Sequence, residues 1–228
     1  GGAEGLMAAC TANYIYRNGG AEITVIEKNE RPARKLMITG KGRCNVCNNC
    51  DIDTLIANVP ENGRFLYSAF SGFAPQDTMT FFESLGVSLK TERGNRVFPV
   101  SDKASDIVDA LVKTAKRGGA EIIQGTAKKI LTENGAVSGV LLENGEALPA
   151  DSVILATGGM SYPLTGSTGD GYKIARALGH TVTEIKPSLV ALNAHEGFCE
   201  RLAGLSLKNV AISVFEEGRK KPVFSELG

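Results

Sequence analysis

The sequence of 228 residues lacks several features that would place it in a specialised class of protein. It has no net charge, because 25 basic side chains balance 25 acidic ones, and no overall field therefore favours nucleic acid or an anionic membrane. It contains no apolar run near the roughly 18 residues of a membrane span, no visible signal peptide, no internal repeat and no low-complexity segment. We expect a globular protein with neither a membrane partner nor a nucleic-acid partner.

The cysteines argue against a secreted, disulfide-bonded protein. Five cysteines without a secretory signature indicate reduced thiols, which predicts a cytoplasmic location. Cys44, Cys47 and Cys50 lie at three-residue intervals, but an iron–sulfur ligand run of this kind needs a fourth cysteine, so we predict no metal site. A dithiol–disulfide site at Cys44 and Cys47 remains an alternative, since neighbouring cations favour thiolate.

A glycine-rich loop is the first positive feature. Gly1-Gly2-Ala3-Glu4-Gly5 leads directly into a helix-forming run that starts at Leu6. In the dinucleotide-binding pattern G-x-G-x-x-G, the second glycine lets the backbone approach a pyrophosphate and the third lets the helix pack closely on its strand. Gly2 and Gly5 fit these two roles, and the first glycine and its apolar strand would precede residue 1.

An acidic residue follows the loop at the expected distance. Residues 23–26 form a short β-branched run that predicts a strand, and Glu27 ends it. An acid about 20 residues past a glycine loop accepts hydrogen bonds from an adenosine ribose. A free 2′-hydroxyl is implied, so FAD or NAD fits better than NADP.

A basic loop and a later buried strand extend the pattern. Residues 31–43 carry five cations and no acid, which favours neutralisation of a pyrophosphate. The continuous apolar run 152–156 predicts a parallel strand buried on both faces, and it ends in Thr157-Gly158-Gly159, where a flat cofactor could pass close to the backbone. The glycine-rich stretch 165–171 then opens a helix and is a ready anion site.

The organisation predicted from these elements is α/β. We expect an FAD/NAD(P)-binding Rossmann-like domain over residues 1–187, with a parallel sheet and helices. Segments 121–124, 127–132 and 136–143 are predicted to form an antiparallel β-meander that acts as a crossover. From residue 188 the pattern changes to alternation, which predicts that residues 188–228 begin a β-rich inserted or substrate domain.

Several motifs occur together in an order that is specific to one family. They are Gly2-x-x-Gly5, Glu27-Lys28, Gly42-Arg43-Cys44-Asn45, Arg96-Val97-Phe98-Pro99, Ala156-Thr157-Gly158-Gly159 with Ser161-Tyr162-Pro163, and Gly166-Ser167-Thr168-Gly169-Asp170-Gly171. In these the chain resembles the bacterial flavoproteins of the aminoacetone oxidase family of FAD-binding enzymes, which include bile-acid dehydro reductases. The extra thiol at Cys47 departs from the family, which usually has Thr or Ser nearby.

The resemblance implies an FAD site and a flavin-dependent oxidation or reduction. The residues assigned to the cofactor are Gly2, Gly5, Gly42, Arg43, Cys44 and Asn45 near the pyrophosphate or ribityl region, Glu27 at the ribose, Lys28, Arg34 and Lys35 on the adenosine or phosphate side, Ala127 beside the adenine, and Thr157, Gly158, Gly159 and Asp170 near the cofactor. The resemblance also implies a C-terminal return that completes the flavin site, and hence a parent chain about twice as long. We expect residues 1–228 alone to be poorly soluble and free of flavin.

The predicted function is hydride transfer between FAD and a small organic substrate or NAD(P)H, the latter as a co-substrate. Tyr162 is the candidate proton donor, because a phenol just past a Gly-Gly turn could protonate a reduced alkene or carbonyl. The alternatives are a nucleotide-binding module without turnover and the dithiol enzyme that uses Cys44 and Cys47.

Overall fold

A computed structural model describes residues 1–16, 20–187, 191–207 and 210–227. The chain divides into two compact units, Gly1–Glu184 and Ile185–Gly228. Throughout the described ranges, every helix is too short or too polar to cross a lipid bilayer.

The helices and strands follow one another through the chain, with most of them in the first unit. The helices are α1 (Ala3–Ile15), α2 (Arg34–Ile38), α3 (Ile52–Ala57), α4 (Tyr67–Gly72), α5 (Pro75–Ser84), α6 (Ala104–Arg117), α7 (Asp170–Ala177) and α8 (Phe198–Arg201). The strands are β1 (Thr24–Glu27), β2 (Cys47–Asn48), β3 (Leu89–Glu92), β4 (Arg96–Pro99), β5 (Glu121–Gln124), β6 (Ala127–Glu133), β7 (Ala136–Leu142), β8 (Ala147–Pro149), β9 (Ala211–Val214) and β10 (Phe224–Leu227).

The core of the first unit lies between α1 and α6. Apolar residues recur every three or four positions along α6, which gives it one apolar face, and Ile107 and Leu111 on that face are 0% and 1% exposed. Leu6 of α1 is also fully buried in this cluster. Burying each such side chain contributes about 1.5–3 kcal/mol, so this contact holds α1 and the loop before it in place.

A polar contact fixes the same pair of helices. The side-chain amide of Asn13 donates to the carbonyl of Ala115 at 2.7 Å, in a buried position. This carbonyl, one of the last in α6 and without a partner inside the helix, also accepts a hydrogen bond from the backbone N–H of Ala120 at 3.0 Å. A side chain on α1 therefore adds a second, buried hydrogen bond to a carbonyl at the end of α6.

The parallel pair of the Rossmann unit is β1 with β5. Thr24 lies opposite Glu121 and Glu27 opposite Gln124, and α6 precedes β5 in the chain. We predicted segment 121–124 as part of the antiparallel meander, and that was wrong. Its side chains are half-buried or exposed, so their pattern does not distinguish a parallel partner of β1 from a meander strand.

The antiparallel meander consists of β6, β7 and β8. Asn134 and Gly135 join β6 to β7 with positive φ angles of 52° and 80°, the conformation that a two-residue hairpin turn requires. A second three-stranded sheet has the order β2, β4, β3, and the second unit contains the antiparallel pair β9 and β10.

The predicted buried strand over residues 152–156 is not formed. These residues are in no strand, and Ile154 is 72% exposed. A strand needs a neighbour to pair its backbone groups, and among the described residues none pairs with this segment. The apolar composition was read correctly, but composition alone does not supply a partner.

Candidate functional site

The glycine loop and α1 form one wall of a large cavity. Gly2 precedes the first residue of α1 in extended backbone conformation, and the N–H groups of the first turn of α1 have no partner within the helix. A Cβ atom on Gly5 would lie 3.6 Å from the Cβ of Ala156, which is ordinary contact. The distance between α1 and the segment that leads to Thr157 would therefore also accommodate an alanine at position 5.

Glu27 lies at the end of β1 with a nearly buried carboxylate. Its Oε1 accepts hydrogen bonds from the backbone and side-chain nitrogens of Asn29 at 2.8 and 2.7 Å. Its Oε2 lies 3.5 Å from the amino group of Gly1, and a Cβ on Gly1 would collide with this carboxylate. The carboxylate is thus held in one orientation beside the glycine loop.

Lys28 connects β1 to the start of α7. Its ammonium group donates to Asp170 Oδ2 at 2.7 Å and to Thr168 Oγ1 at 2.6 Å. These hydrogen bonds, with that from Lys28 first, lower the pKa of Asp170 to about 2. Both Lys28 and Asp170 were predicted to bind the cofactor, and that stays a prediction, whereas the structure shows them bonded to each other.

Asn29 and Thr165 add a second link between the same two segments, which the sequence analysis did not identify. The Asn29 side chain donates to the carbonyl of Thr165 at 3.2 Å. The only signal in the sequence was that Asn29 follows Glu27 and Lys28 directly. With Lys28, it keeps the glycine-rich loop 165–170 against the end of β1.

The segment after Ala156 forms the opposite wall of the cavity. Gly158 has a positive φ of 72°, and a Cβ there would lie 3.3 Å from Ser167 Oγ, so a larger residue would be both strained and crowded. A Cβ on Gly171 would collide with Thr157 Oγ1. These glycines let the backbone of segment 157–159 lie close to the loop before α7.

These walls enclose a cavity of about 1260 Å³. Binding cavities for small molecules and cofactors commonly measure about 300–1,000 Å³, so a dinucleotide-sized ligand can be accommodated. The predicted cofactor residues that line it are Gly2, Gly5, Glu27, Lys28, Arg34, Lys35, Ala127, Thr157, Gly158, Gly159 and Asp170. The cavity is thus lined by N–H groups at the start of a helix, by a carboxylate, by cations and by glycine backbone.

The Arg-Cys-Asn segment lies outside this lining. None of Gly42, Arg43, Cys44 and Asn45 is among the described residues that line the cavity. The Arg43 guanidinium instead donates to Glu92 at 3.0 Å and to Asp102 at 3.3 Å, and it lies 4.0 Å from the centre of the Phe98 ring. The structure therefore ties this segment to β3 and β4, and its cofactor role stays a prediction.

Cys44 and Cys47 lie in surroundings that oppose ionisation of their thiols. Burial raises the pKa of Cys44, and burial together with the nearby Cys50 raises the pKa of Cys47 to about 11. A reactive thiol needs the opposite shift. Within the ranges that the structure describes, no cluster of three or more His, Cys, Asp or Glu side chains could hold a metal ion.

Tyr162 lies in the segment between Gly159 and the short turn Pro163–Thr165. Its side chain is 69% exposed, and it has left-handed backbone angles that place it before the short 3-10 turn Pro163–Thr165. The Thr165 backbone and hydroxyl both donate to its carbonyl, at 2.8 and 2.7 Å. The phenol is not among the cavity-lining residues described, and its proton-donor role stays a prediction.

Comparison with known proteins gives one family. The family described as HI0933-like protein Rossmann domain matches residues 1–225. The chain is 34% identical over 206 residues to the 3-dehydro-bile acid delta(4,6)-reductase of Clostridium scindens, which covers 90% of this chain and 49% of that protein.

Two further relatives have a different name. The ribosomal RNA dihydrouridine synthase of Escherichia coli is 28% identical over 213 residues, covering 92% of this chain and 51% of the relative. That of Haemophilus influenzae is 27% identical over 212 residues, covering 90% and 51%. The chain therefore spans about half the length of the curated relatives that it matches.

Proposed function

The chain belongs to the HI0933-like FAD-binding Rossmann family, and from this premise we propose that the protein is an FAD-dependent oxidoreductase that transfers hydride to or from a small organic substrate. The family resemblance stated from the motifs is thereby confirmed, and so is the Rossmann fold class. The specific reaction and the use of NAD(P)H as co-substrate are part of the proposal.

The observation that carries the proposal is the convergence of 11 predicted cofactor residues on one cavity. They come from four regions of the chain: the glycine loop with β1 and Lys28, the start of α2, the start of β6, and segment 157–170. Each offers a group that a dinucleotide needs. The first turn of α1 offers N–H groups for a pyrophosphate, Glu27 offers an acceptor for a ribose, and Ala127 offers backbone for an adenine.

The bound flavin would supply two-electron transfer, and the protein would supply position and protection from water. Gly158 and Gly159 leave the backbone open to close approach by a flat ring, since neither has a side chain. The bonds that link Lys28 to Asp170 and Asn29 to Thr165 would keep the walls of the cavity together around the cofactor.

The names of the relatives suggest one reaction class. One relative is named a 3-dehydro-bile acid Δ4,6-reductase and another a dihydrouridine synthase, and both names describe the reduction of a carbon–carbon double bond in a compound that contains a carbonyl. We propose the same class here. Reduction of such a bond needs a hydride at the carbon distant from the carbonyl, which bound reduced FAD would supply, and a proton at the carbon next to the carbonyl, which a side chain of this protein would deliver. Tyr162 is the proposed source of the proton.

A ribosomal RNA substrate is the second candidate, because two relatives are named for it. The higher identity to the bile-acid reductase and the net charge of zero favour a small, uncharged or acidic enone. We therefore keep a small-molecule substrate and a cytoplasmic location in the proposal. A dithiol mechanism is disfavoured by the raised pKa values of Cys44 and Cys47.

The test is anaerobic half-reactions followed by flavin absorbance. The intact protein, and not residues 1–228 alone, should carry FAD that is released on denaturation, and NADH or NADPH should bleach it. A steroid-like dienone should then restore the oxidised spectrum, and the saturated ketone is the matched control. Reoxidation by uridine-containing rRNA alone would select the second candidate. A protein that binds FAD but transfers no electrons to any acceptor would indicate a nucleotide-binding module.

A further inference from the structure

The side-chain amide of Asn29 bonds in two directions, and one of its partners is the proposed ribose acceptor. Its Nδ2 atom donates to Glu27 Oε1 at 2.7 Å and to the carbonyl of Thr165 at 3.2 Å. The backbone N–H of Asn29 donates to the same Oε1 at 2.8 Å. An amide nitrogen has two hydrogens, so one serves the end of β1 and the other serves the glycine-rich loop 165–170.

The orientation of this amide is fixed by its two partners. If the group were turned over, its oxygen would lie against the oxygens of Glu27 and Thr165, and both hydrogen bonds would become repulsions. The amide is planar and rigid, so it cannot turn towards one partner without weakening its bond to the other. A displacement of the Glu27 carboxylate is therefore transmitted to Thr165 through Asn29.

The glycine-rich loop lies directly against Asn29. Gly166 has a φ of 101°, and a Cβ atom on it would lie 2.6 Å from Asn29 Nδ2, which is closer than a Cβ atom can approach. Glycine is therefore required here both by the backbone conformation and by the space that Asn29 leaves. Asn29, Thr165 and Gly166 all line the cavity described above.

The same loop also contacts the cavity wall formed by residues 157–159. The side chain of Ser167 is 7% exposed, and its Oγ would lie 3.3 Å from a Cβ atom on Gly158. The backbone N–H of Gly169 donates to the carbonyl of Gly159 at 3.2 Å. The position of the loop therefore determines the position of the glycines that leave room for a flat ring.

We propose that Asn29 is a positioning residue that couples the ribose site at Glu27 to loop 165–170, which rests on the adenosine site of the proposed function. A ribose hydroxyl that donates to Glu27 stabilises the carboxylate orientation to which Asn29 also donates. Asn29 then stabilises the loop position in which Gly169 bonds to Gly159. The ligand recognised is an adenosine diphosphate with a free ribose diol, the part that FAD and NADH share.

Lys28 distinguishes this coupling from simple anchoring of the loop. Its ammonium group also ties the end of β1 to the loop, but it bonds to Thr168 and Asp170 rather than to the Glu27 carboxylate. Loss of Lys28 should loosen the loop whether or not a ligand is bound. Loss of the Asn29 amide should instead remove the response of the loop to the ligand.

The test is amide hydrogen exchange on the intact chain with its flavin removed, with and without saturating ADP. The reporters are Gly166, Thr168 and Gly169, whose N–H groups are hydrogen-bonded within the loop or to its neighbours. We expect ADP to slow their exchange by about tenfold, because bonded amides exchange only after local opening. At saturation, 2′,3′-dideoxy-ADP should leave their exchange unchanged, since it keeps the pyrophosphate but has no diol.

Two variants are compared with the wild type at saturating ADP. In Lys28→Met the reporters should exchange faster throughout, and ADP should still slow them by about tenfold. In Asn29→Leu, which keeps the bulk of the side chain but has no donor, ADP should slow them by less than about twofold. An undiminished effect of ADP in Asn29→Leu would overturn the coupling and leave the cofactor site standing.

The dideoxy comparison needs only the wild type, so it decides the matter even if Asn29→Leu does not fold. Equal slowing by ADP and by 2′,3′-dideoxy-ADP would overturn the coupling. Calorimetry records the binding of ADP itself, and its failure to bind would overturn the adenosine site and the coupling together. Displacement of ADP by NADH but not by FAD would contradict the flavin assignment of the proposed function and leave the coupling intact.

Discussion

The bond between Lys28 and Asp170 offers a quantitative test of how the candidate site is held together. In Lys28→Met, the 2.7 Å ion pair and the 2.6 Å hydrogen bond to Thr168 are both lost, while the apolar part of the side chain is retained. Both side chains of the pair are 25% exposed. An exposed pair is worth about 0.2–1 kcal/mol, and removing one partner of a fully buried pair costs about 3–5 kcal/mol.

The expected loss lies between these limits, nearer the lower one. Asp170 keeps its bond from Thr168 at 2.7 Å and a longer one from Lys173 at 3.4 Å, so its charge is not left without partners. We expect Lys28→Met to lower the free energy of unfolding by about 1–2 kcal/mol. At about 2–4 °C per kcal/mol for a domain of this size, Tm should fall by about 2–8 °C.

The pH dependence of this loss follows from the lowered pKa of Asp170. A carboxylate whose pKa falls on folding, here from 3.8 to about 2, stabilises the protein above its unfolded pKa, and the effect disappears as pH falls through the folded value. Wild type and Lys28→Met should therefore differ fully above about pH 4 and converge towards pH 2.

Urea unfolding at pH 7 and at several lower pH values measures these differences, and Lys173→Met is the matched control. Lys173 is 73% exposed, so its loss should change stability by less than about 0.5 kcal/mol. A double-mutant cycle with Asp170→Asn isolates the coupling. The reasoning would be refuted if the two lysine variants lost the same free energy of unfolding. It would also be refuted if the loss in Lys28→Met stayed the same as the pH fell from 7 towards 2.

Three further predictions concern the cofactor, the core and the thiols. Glu27→Gln should weaken FAD binding by about 1.5–3 kcal/mol, since it removes a charged acceptor, and fluorescence titration should show a Kd raised about 10- to 150-fold. Glu30 is exposed, so the control variant Glu30→Gln should bind FAD as the wild type does. Leu111→Ala should cost about 2–5 kcal/mol in urea unfolding, because the side chain is 1% exposed, and the 89% exposed Leu192→Ala should cost almost nothing. Cys47→Ser should leave turnover unchanged, and a loss of activity in that variant would revive the dithiol hypothesis.

The sequence alone determined the elements whose pattern is local. The apolar face of α6, with Ile107 and Leu111 on it, follows from the helical spacing of its apolar residues. The strand before Glu27 follows from its β-branched run. The hairpin between β6 and β7 follows from Asn134-Gly135, whose backbone angles the turn requires. Each of these elements can be predicted from residues that are close together in the sequence.

Only the tertiary structure decided which distant segments meet. Lys28 pairs with Asp170 across 142 positions, and Arg43 pairs with Glu92 across 49, and no spacing rule distinguishes these partners from the other charges. For the same reason we wrongly placed segment 121–124 in the meander, whereas it is the parallel partner of β1, and wrongly predicted a buried strand over residues 152–156. A strand is stabilised by backbone bonds to a neighbour, and which neighbour is within reach depends on packing that the strand's own residues do not encode.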